Sequence, residues 1–110
     1  MQVSSTTKNV RMSAQKMREV TRQIQGLPAV HARALLAVVP RKSARLIAKT
    51  LKSAIANAEN NKGARLEKLW IKEAVAGNGI TTKTFIPKAR GSGGPILKRR
   101  CHIRIVLSDE

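Results

Sequence analysis

The sequence has few of the residues that usually anchor or cross-link a small core. It contains one cysteine, one tryptophan, one phenylalanine and no tyrosine in 110 residues. A single cysteine excludes an internal disulfide framework and a cysteine-rich zinc site. Few large anchors remain for a core, and a single domain of this length buries only about two-thirds of its unfolded surface.

Long apolar runs are absent as well. The longest, residues 34–39, falls far short of the roughly 20 residues that a membrane-spanning helix requires. The first seven residues, MQVSSTT, contain no apolar signal region. We therefore expect a reducing, cytosolic-type compartment and no membrane association.

Acidic residues are scarce, and this shortage dominates the chemistry of the chain. Six Asp and Glu face 22 Lys and Arg, for a net charge of +16, and residues 74–108 contain no acid. The excess positive charge is spread over most of the chain rather than confined to a tail. Repulsion among like charges opposes compaction, so we infer that the isolated protein is only marginally stable. We also infer a polyanionic partner that surrounds the protein on several sides.

Three helices are predicted from local patterns. Ser13 is a good N-cap, apolar residues follow at spacings of three and four, and Gly26 offers a stop, which predicts a helix over about 13–25. A second helix is predicted over about 29–38, ended by Pro40. The third carries apolar residues on one stripe between positions 44 and 58, with Lys42, Arg45, Lys49 and Lys52 on the opposite side.

Strands are predicted on both sides of an unusual segment. Leu69, Ile71 and Val75 occupy one side of a period-two pattern, which Glu73 interrupts. Near the C-terminus, Ile103, Ile105 and Leu107 occupy one side of a second period-two pattern. The first ten residues also favour a short strand, with organised sequence by about residue 8.

The segment over residues 77–100 is rich in glycine, proline and basic residues. A structureless connection of this length is uncommon inside a compact domain. It is therefore either a disordered basic linker or an extended hairpin held by a partner. In the second case residues 81–86 and 96–100 form arms around a tip at 87–95. The hairpin then protrudes, because it has few apolar residues that could pack against the body.

Five stretches in order resemble the bacterial and organellar type of large-subunit ribosomal protein twenty-two. They are 13–18 (SAQKMR) with 23–26 (QIQG), 40–44 (PRKSA), 51–61 (LKSAIANAENN), 86–91 (IPKARG) and 98–103 (KRRCHI). Together they cover roughly residues 8–107. One departure is that Gly91 precedes Ser92-Gly93-Gly94, where the family usually has another Arg, so the tip carries less positive charge than the family pattern beyond Arg90.

The resemblance implies an α+β fold, with three helices packed on a three-stranded antiparallel sheet and a long protruding β-hairpin. It implies one domain over 1–110, with a globular body over about 1–76 and 101–110 and a hairpin over about 77–100. It also implies a structural constituent of the large ribosomal subunit that binds several domains of large-subunit rRNA, supports early assembly and lines the nascent-peptide exit tunnel. The expected neighbours are the nascent peptide and ribosomal protein four, without a homo-oligomer. The expected location is the cytoplasm, or the stroma or matrix if the chain is organellar.

Positive charge and close backbone approach are what rRNA binding needs, because most contacts go to phosphate and sugar. The expected rRNA-binding residues are Arg11, Lys16, Arg18, Arg41, Lys42, Arg45, Lys49, Lys83, Lys88, Arg90, Lys98, Arg99, Arg100 and His102. The expected tunnel-lining tip comprises Pro87, Lys88, Ala89, Arg90, Gly91, Ser92, Gly93 and Gly94. For the basic stripe of the third helix, a merely solvated surface is the alternative.

Catalysis and metal binding have little support. Cys101 and His102 have no nearby acid, and His31 lies far away in sequence, so we expect no enzyme, no metal and no cofactor. His102 is expected to contact RNA or a carbonyl in its neutral form, and Trp70 belongs to the core or sheet surface more readily than to a base stack. Two rival functions remain open. One is a nucleoid DNA-binding protein, and the other is a basic membrane-surface protein, which would need larger apolar anchors than the Ala-rich third helix offers.

Overall fold

The computed structural model describes residues 2–79, 82–87 and 93–109. Its elements are β1 (Gln2–Val10), α1 (Ala14–Ile24), α2 (Ala29–Val38), α3 (Lys42–Lys62), a short 3₁₀ turn (Leu66–Lys68), β2 (Trp70–Asn78), β3 (Thr82–Pro87), β4 (Gly93–Lys98) and β5 (Cys101–Ser108). The α+β class, with three helices on a three-stranded antiparallel sheet, is confirmed.

The helices begin and end where local chemistry predicts. The Ser13 Oγ accepts a hydrogen bond from the Lys16 N–H at 3.4 Å and caps α1, and Gly26 follows the helix with φ 85°. The second helix has the predicted bounds. After α3, Gly63 adopts φ 64° and its N–H bonds to the Glu59 carbonyl at 3.2 Å, which ends the helix in a left-handed cap.

The main sheet has the order β1-β5-β2, with β5 antiparallel to both neighbours. Ile103, Ile105 and Leu107 on β5 are fully buried beneath the helices. The predicted strand within the first ten residues is confirmed as β1, and organised structure begins at Gln2, earlier than the expected residue 8. Near its end, Asn9 has φ 56° and the pairing register with β5 shifts between Thr7 and Val10, so the strand carries a bulge.

A second bulge corrects the predicted side-chain pattern of β2. Ile71 pairs with Leu107 and Glu73 with Val106, so Lys72 is an extra residue on this strand. The bulge reverses which side of the strand faces the core, because the side-chain period of a strand is two. Ala74 is consequently buried, whereas Val75 is 45% exposed, and the prediction that Val75 shares a buried face with Ile71 is wrong.

The core lies between the sheet and the helices. The first helix packs on β2, α3 packs on β1 and β5, and α2 packs on α3. Met17, Ile24, Ile47, Leu51 and Ile71 are among its largest fully buried side chains. Buried alanines at 44, 54 and 58 of α3 allow the close approach that the sequence pattern indicates.

The remaining strands, β3 and β4, pair with each other, from Thr82 opposite Lys98 to Pro87 opposite Gly93. This confirms a hairpin, but its paired arms differ from the predicted 81–86 and 96–100, because Pro87 and residues 93–95 belong to the strands. Proline is tolerated there because each strand of a two-stranded sheet has an edge without a neighbour. The radius of gyration is 17.0 Å, against about 13 Å for a compact chain of this length, and the longest extent is 62 Å.

Candidate nucleic-acid interface

A groove runs between α1 and the start of α3. We call it the α1–α3 groove; its volume is about 330 Å³. It is lined by Met12, Lys16, Glu19, Arg41, Lys42 and Ser43. Three of the predicted rRNA-binding residues, Lys16, Arg41 and Lys42, therefore meet at one surface, although 26 positions separate the first from the last.

Two contacts shape the α1–α3 groove. The Arg41 guanidinium forms an ion pair with the Glu19 carboxylate, which joins α3 to α1 and offsets part of the charge of Arg41. The Lys42 ammonium donates to the Arg11 backbone carbonyl at 3.4 Å. In the described part of the chain no acidic group contacts the Lys16 side chain, so its charge faces solvent uncompensated.

A basic stripe extends from this groove along α3. Lys42, Arg45, Lys49 and Lys52 are all exposed, while Ala44, Ile47 and Leu51 on the other side are buried. The amphipathic pattern of the helix is therefore confirmed. The stripe gives a row of cations spaced by three or four residues, which is a geometry that can follow a phosphate backbone.

A second groove lies at the base of the hairpin, on the other side of the first turn of α1. We call it the hairpin-base groove; its volume is about 380 Å³. It is lined by Ser13, Ala14, Gln15, Arg18, Asn78, Gly79, Arg99 and Arg100. It brings together three predicted rRNA-binding arginines, one from α1 and two from the link between β4 and β5.

Backbone contacts position the parts of the hairpin-base groove. The Arg18 Nε donates to the Ala76 carbonyl at 3.1 Å, which ties α1 to the edge of β2. The Gly79 N–H donates to the Arg100 carbonyl at 2.9 Å. A Cβ at position 79 would lie 3.2 Å from the Arg100 carbonyl group and from the His102 Cε1, so glycine allows this close approach.

His102 has a structural contact within the sheet. Its Nδ1 accepts a hydrogen bond from the Asn9 backbone N–H at 3.0 Å, at the bulge of β1. Since an acceptor nitrogen carries no proton, this contact requires the neutral imidazole with its proton on Nε2. The predicted partner, RNA or a carbonyl, is thus replaced at Nδ1 by an amide of the protein itself.

The remaining predicted residues lie in the hairpin. Lys83 belongs to β3 and Lys98 to β4, and Pro87, Gly93 and Gly94 of the predicted tip are strand residues. The rest of the tip, Lys88, Ala89, Arg90, Gly91 and Ser92, lies outside the described residues.

Sequence reasoning identified the cations of both grooves but missed their grouping and their uncharged lining. Asn78 and Gly79 were not predicted as site residues, and the pairing of Arg41 with Glu19 was not anticipated. No local sequence signal predicts such groupings. Arg18 and Arg99, for example, are 81 positions apart and meet only through the packing of α1 against β2.

Other candidate chemistry is limited. Cys101 is fully buried, and desolvation raises the pKa of its thiol, which makes it an unreactive core residue. Trp70 is half-buried and its backbone bridges to Pro28. Over residues 2–79, 82–87 and 93–109, no three His, Cys, Asp or Glu side chains cluster as metal ligands would. None of the helices in that part of the chain is both long and apolar enough to cross a membrane.

Comparisons with known proteins agree over nearly the full chain. A family model described as ribosomal protein L22p/L17e matches residues 5–108. The large ribosomal subunit protein uL22 of Opitutus terrae is 53% identical over 109 residues, which is 99% of this chain and 96% of the relative. The uL22 of Akkermansia muciniphila is 44% identical over 110 residues, covering 100% and 98% of the two chains. The uL22 of Ligilactobacillus salivarius is 46% identical over 104 residues, covering 94% and 90%.

Proposed function

The chain belongs to the ribosomal protein L22p/L17e family, and we propose from this that it binds large-subunit rRNA through its two grooves, the α3 stripe and the hairpin. A large ribosomal subunit protein of this family is a structural component and not an enzyme. The family assignment excludes the nucleoid and membrane-surface alternatives as the main function.

One observation carries the proposal of RNA binding. Both grooves flank the first turn of α1, and among their described lining residues the cationic side chains outnumber the acidic ones by six to one. Such a surface is electrostatically costly in the free protein and is stabilised when a polyanion replaces the repulsion with attraction. The grooves lie on two sides of one helix, which supports binding to more than one segment of a folded RNA.

The hairpin has a separate role in this proposal. The body, over about 1–76 and 101–110, docks on the subunit surface near the tunnel exit, and the hairpin over about 77–100 reaches inward. Residues 87–94 line the exit tunnel beside ribosomal protein four and contact the nascent peptide. The 62 Å long axis, more than twice the next extent of 25 Å, supports an inserted arm. The strands β2 and β5 pair as far as Asn78 opposite Cys101, close to the proposed boundary between body and hairpin.

The protein acts as a single copy in the large subunit in the cytoplasm, where it supports early assembly. The uncompensated positive charge lowers the stability of the free protein. Binding to rRNA stabilises the folded form by mass action, which suits a role early in assembly.

Cosedimentation tests the ribosomal function. Cells are lysed at low salt, subunits are separated on a gradient, and the chain is followed through rising salt. A component of the subunit stays with it through salt that strips loosely bound basic proteins, because simple charge-driven binding weakens steeply with salt. Early loss, or migration with DNA, would contradict rRNA binding within the subunit.

Shortening the hairpin tests the tunnel role. Residues 88–92 are replaced by Asn-Gly, a two-residue turn that suits a hairpin. The body should unfold at the same temperature as the parent, while ribosomes that carry the variant should differ in their response to tunnel-directed antibiotics and in nascent-chain stalling. An unchanged response in both assays would refute tunnel lining and leave rRNA binding intact.

A further inference from the structure

We propose that the hairpin-base groove holds a stretch of the RNA sugar-phosphate backbone, and that this RNA rather than protein packing sets the direction of the hairpin. The inference rests on the proposed rRNA binding and adds the site, the chemical group that it takes and the consequence for the fold.

The charge of the groove points to an anionic ligand. Arg18, Arg99 and Arg100 line it, and no other lining residue in the described part of the chain is acidic. The α1–α3 groove differs in this respect, because Glu19 compensates Arg41 there. Among the described residues, Arg18 has one hydrogen-bond partner, the Ala76 carbonyl, and the Arg99 and Arg100 side chains have none.

The position of Arg100 agrees with this argument. Arg100 is partly buried at the base of the hairpin, whereas Arg99 is exposed. Among the described residues no buried side-chain nitrogen or oxygen lacks a partner, so the Arg100 guanidinium remains accessible to a ligand. An anion in the groove would supply the missing acceptors, and the planar guanidinium can donate two parallel hydrogen bonds to one phosphate.

The remaining lining identifies backbone rather than base as the part of the RNA that enters. Among the described lining residues none is aromatic, so a base would find no aromatic platform in the groove. Ser13, Asn78 and Gly79 are small or polar, and they leave room for the sugar-phosphate chain. The volume of about 380 Å³ leaves room for sugar-phosphate backbone beside these side chains.

The same groove spans the joint between the body and the hairpin. Arg18 is anchored to the body through α1 and the Ala76 carbonyl, while Arg99 and Arg100 lie in the link that leads from β4 to β5. Among the described residues, the strands β3 and β4 pair mainly with each other, and the Gly79–Arg100 hydrogen bond closes the base. RNA that contacts Arg18 and Arg99 together would therefore couple the two parts and limit their relative motion.

The first experiment measures RNA binding by the full chain. The probe is large-subunit rRNA of Opitutus terrae transcribed in vitro, and the variants are Arg99→Gln with Arg100→Gln and the matched control Arg33→Gln with Arg65→Gln. Both control residues are exposed and line neither groove. The groove variant should raise Kd by about 10- to 100-fold and lower the slope of log K against log salt by about 1.4 to 1.8, as two lost phosphate contacts require.

The second experiment measures hairpin direction. Spin labels on Lys62→Cys in α3 and Thr84→Cys in β3 report the distance between body and hairpin, and Cys101 is too buried to take a label while the protein is folded. The distance distribution of the parent should be broad in the free protein and narrow with rRNA. The groove variant, at saturating rRNA, should keep a broad distribution.

The outcomes separate this inference from the function on which it rests. If the parent does not bind the rRNA, the proposed function fails. If the parent binds, but the groove variant matches the control in Kd and slope, or the free parent already shows a narrow distribution, only the groove proposal is overturned. Thermal unfolding of each variant confirms that a loss of binding is not a loss of fold.

Discussion

The Thr50 hydroxyl of α3 lies 2.8 Å from the Thr7 hydroxyl of β1. The Thr50 Oγ1 also donates to the Leu46 carbonyl at 3.2 Å, so Thr7 acts as donor to Thr50 in a short chain of hydrogen bonds. This polar link joins the long basic helix to an edge strand of the sheet. It places a satisfied polar pair at a helix–sheet contact that is otherwise apolar, since Thr50 is 1% exposed.

Thr50→Val should lower the free energy of unfolding by about 0.5–1.5 kcal/mol, because the shape is kept and one buried hydrogen-bonding group is lost. Urea denaturation of this variant, of Thr7→Val and of the double variant measures the coupling. A positive interaction energy between the two sites confirms the contact. Strict additivity would show that the two hydroxyls do not interact.

The bulge in β2 predicts opposite tolerance at two neighbouring positions. Ala74→Lys should destabilise the fold by about 3 kcal/mol or more, because it buries an unpaired charge. Val75→Lys should change stability by less than about 1 kcal/mol, because that position is 45% exposed. Chemical denaturation measures the free energy of unfolding of both variants. A larger loss for Val75→Lys than for Ala74→Lys would contradict the bulge and favour simple alternation along β2.

The left-handed cap of α3 predicts a cost for a methyl group at Gly63. Gly63→Ala should destabilise by about 1 kcal/mol because φ is 64°, although nothing lies within 4 Å of the added Cβ. Gly77→Ala is the matched control, since its Cβ is equally unobstructed and its φ is not left-handed. Thermal unfolding should show a larger loss of stability for Gly63→Ala than for Gly77→Ala, and equal effects would contradict a cost that arises from the left-handed φ of Gly63.

Burial of Cys101 predicts a dependence of stability on high pH. Desolvation raises the pKa of the thiol above its ordinary value of 9.0, so as pH rises past that value the unfolded state loses its proton first. The contribution of Cys101 to stability is therefore fully present below pH 9.0 and is lost as pH rises toward the raised pKa. The difference in unfolding free energy between the parent and Cys101→Ala should shrink between pH 8 and pH 10.5, whereas a constant difference would contradict the shift.

The lysines of the α1–α3 groove should contact RNA independently of the hairpin. Lys16→Gln with Lys42→Gln should lower the slope of log K against log salt for large-subunit rRNA by about 1.4 to 1.8. Lys62→Gln with Lys68→Gln removes the same charge from exposed positions outside the groove. Filter-binding titrations from low to high salt distinguish the two pairs, and identical slopes would place the RNA elsewhere.

Local sequence predicted the helices almost to the residue. The Ser13 cap, the stop at Gly26, the bounds 29–38 and the glycine after α3 act within one turn of the backbone, so neighbouring residues suffice to predict them. The resemblance to a family, carried by motifs such as residues 51–61, predicted the layer architecture and the hairpin.

The phase of β2 could not be predicted in the same way. The residues around Glu73 fit either a plain strand or a bulged one, and only the pairing of β2 with β5 places Lys72 as the extra residue. The arms of the hairpin likewise include Pro87 and residues 93–95, because β3 pairs with β4 over a segment whose proline and glycine residues predicted a loop.

By itself, the sequence determined the excess of positive charge, the helices and the family, because composition, capping and periodicity are local properties. Only the tertiary structure decided which cations share a groove, that Glu19 offsets Arg41, and that Arg18 faces Arg99 and Arg100 across the hairpin base. Those relationships depend on how α1 packs against β2 and how α3 packs against the sheet, and contacts between distant residues follow from the sum of all packing interactions rather than from any one segment.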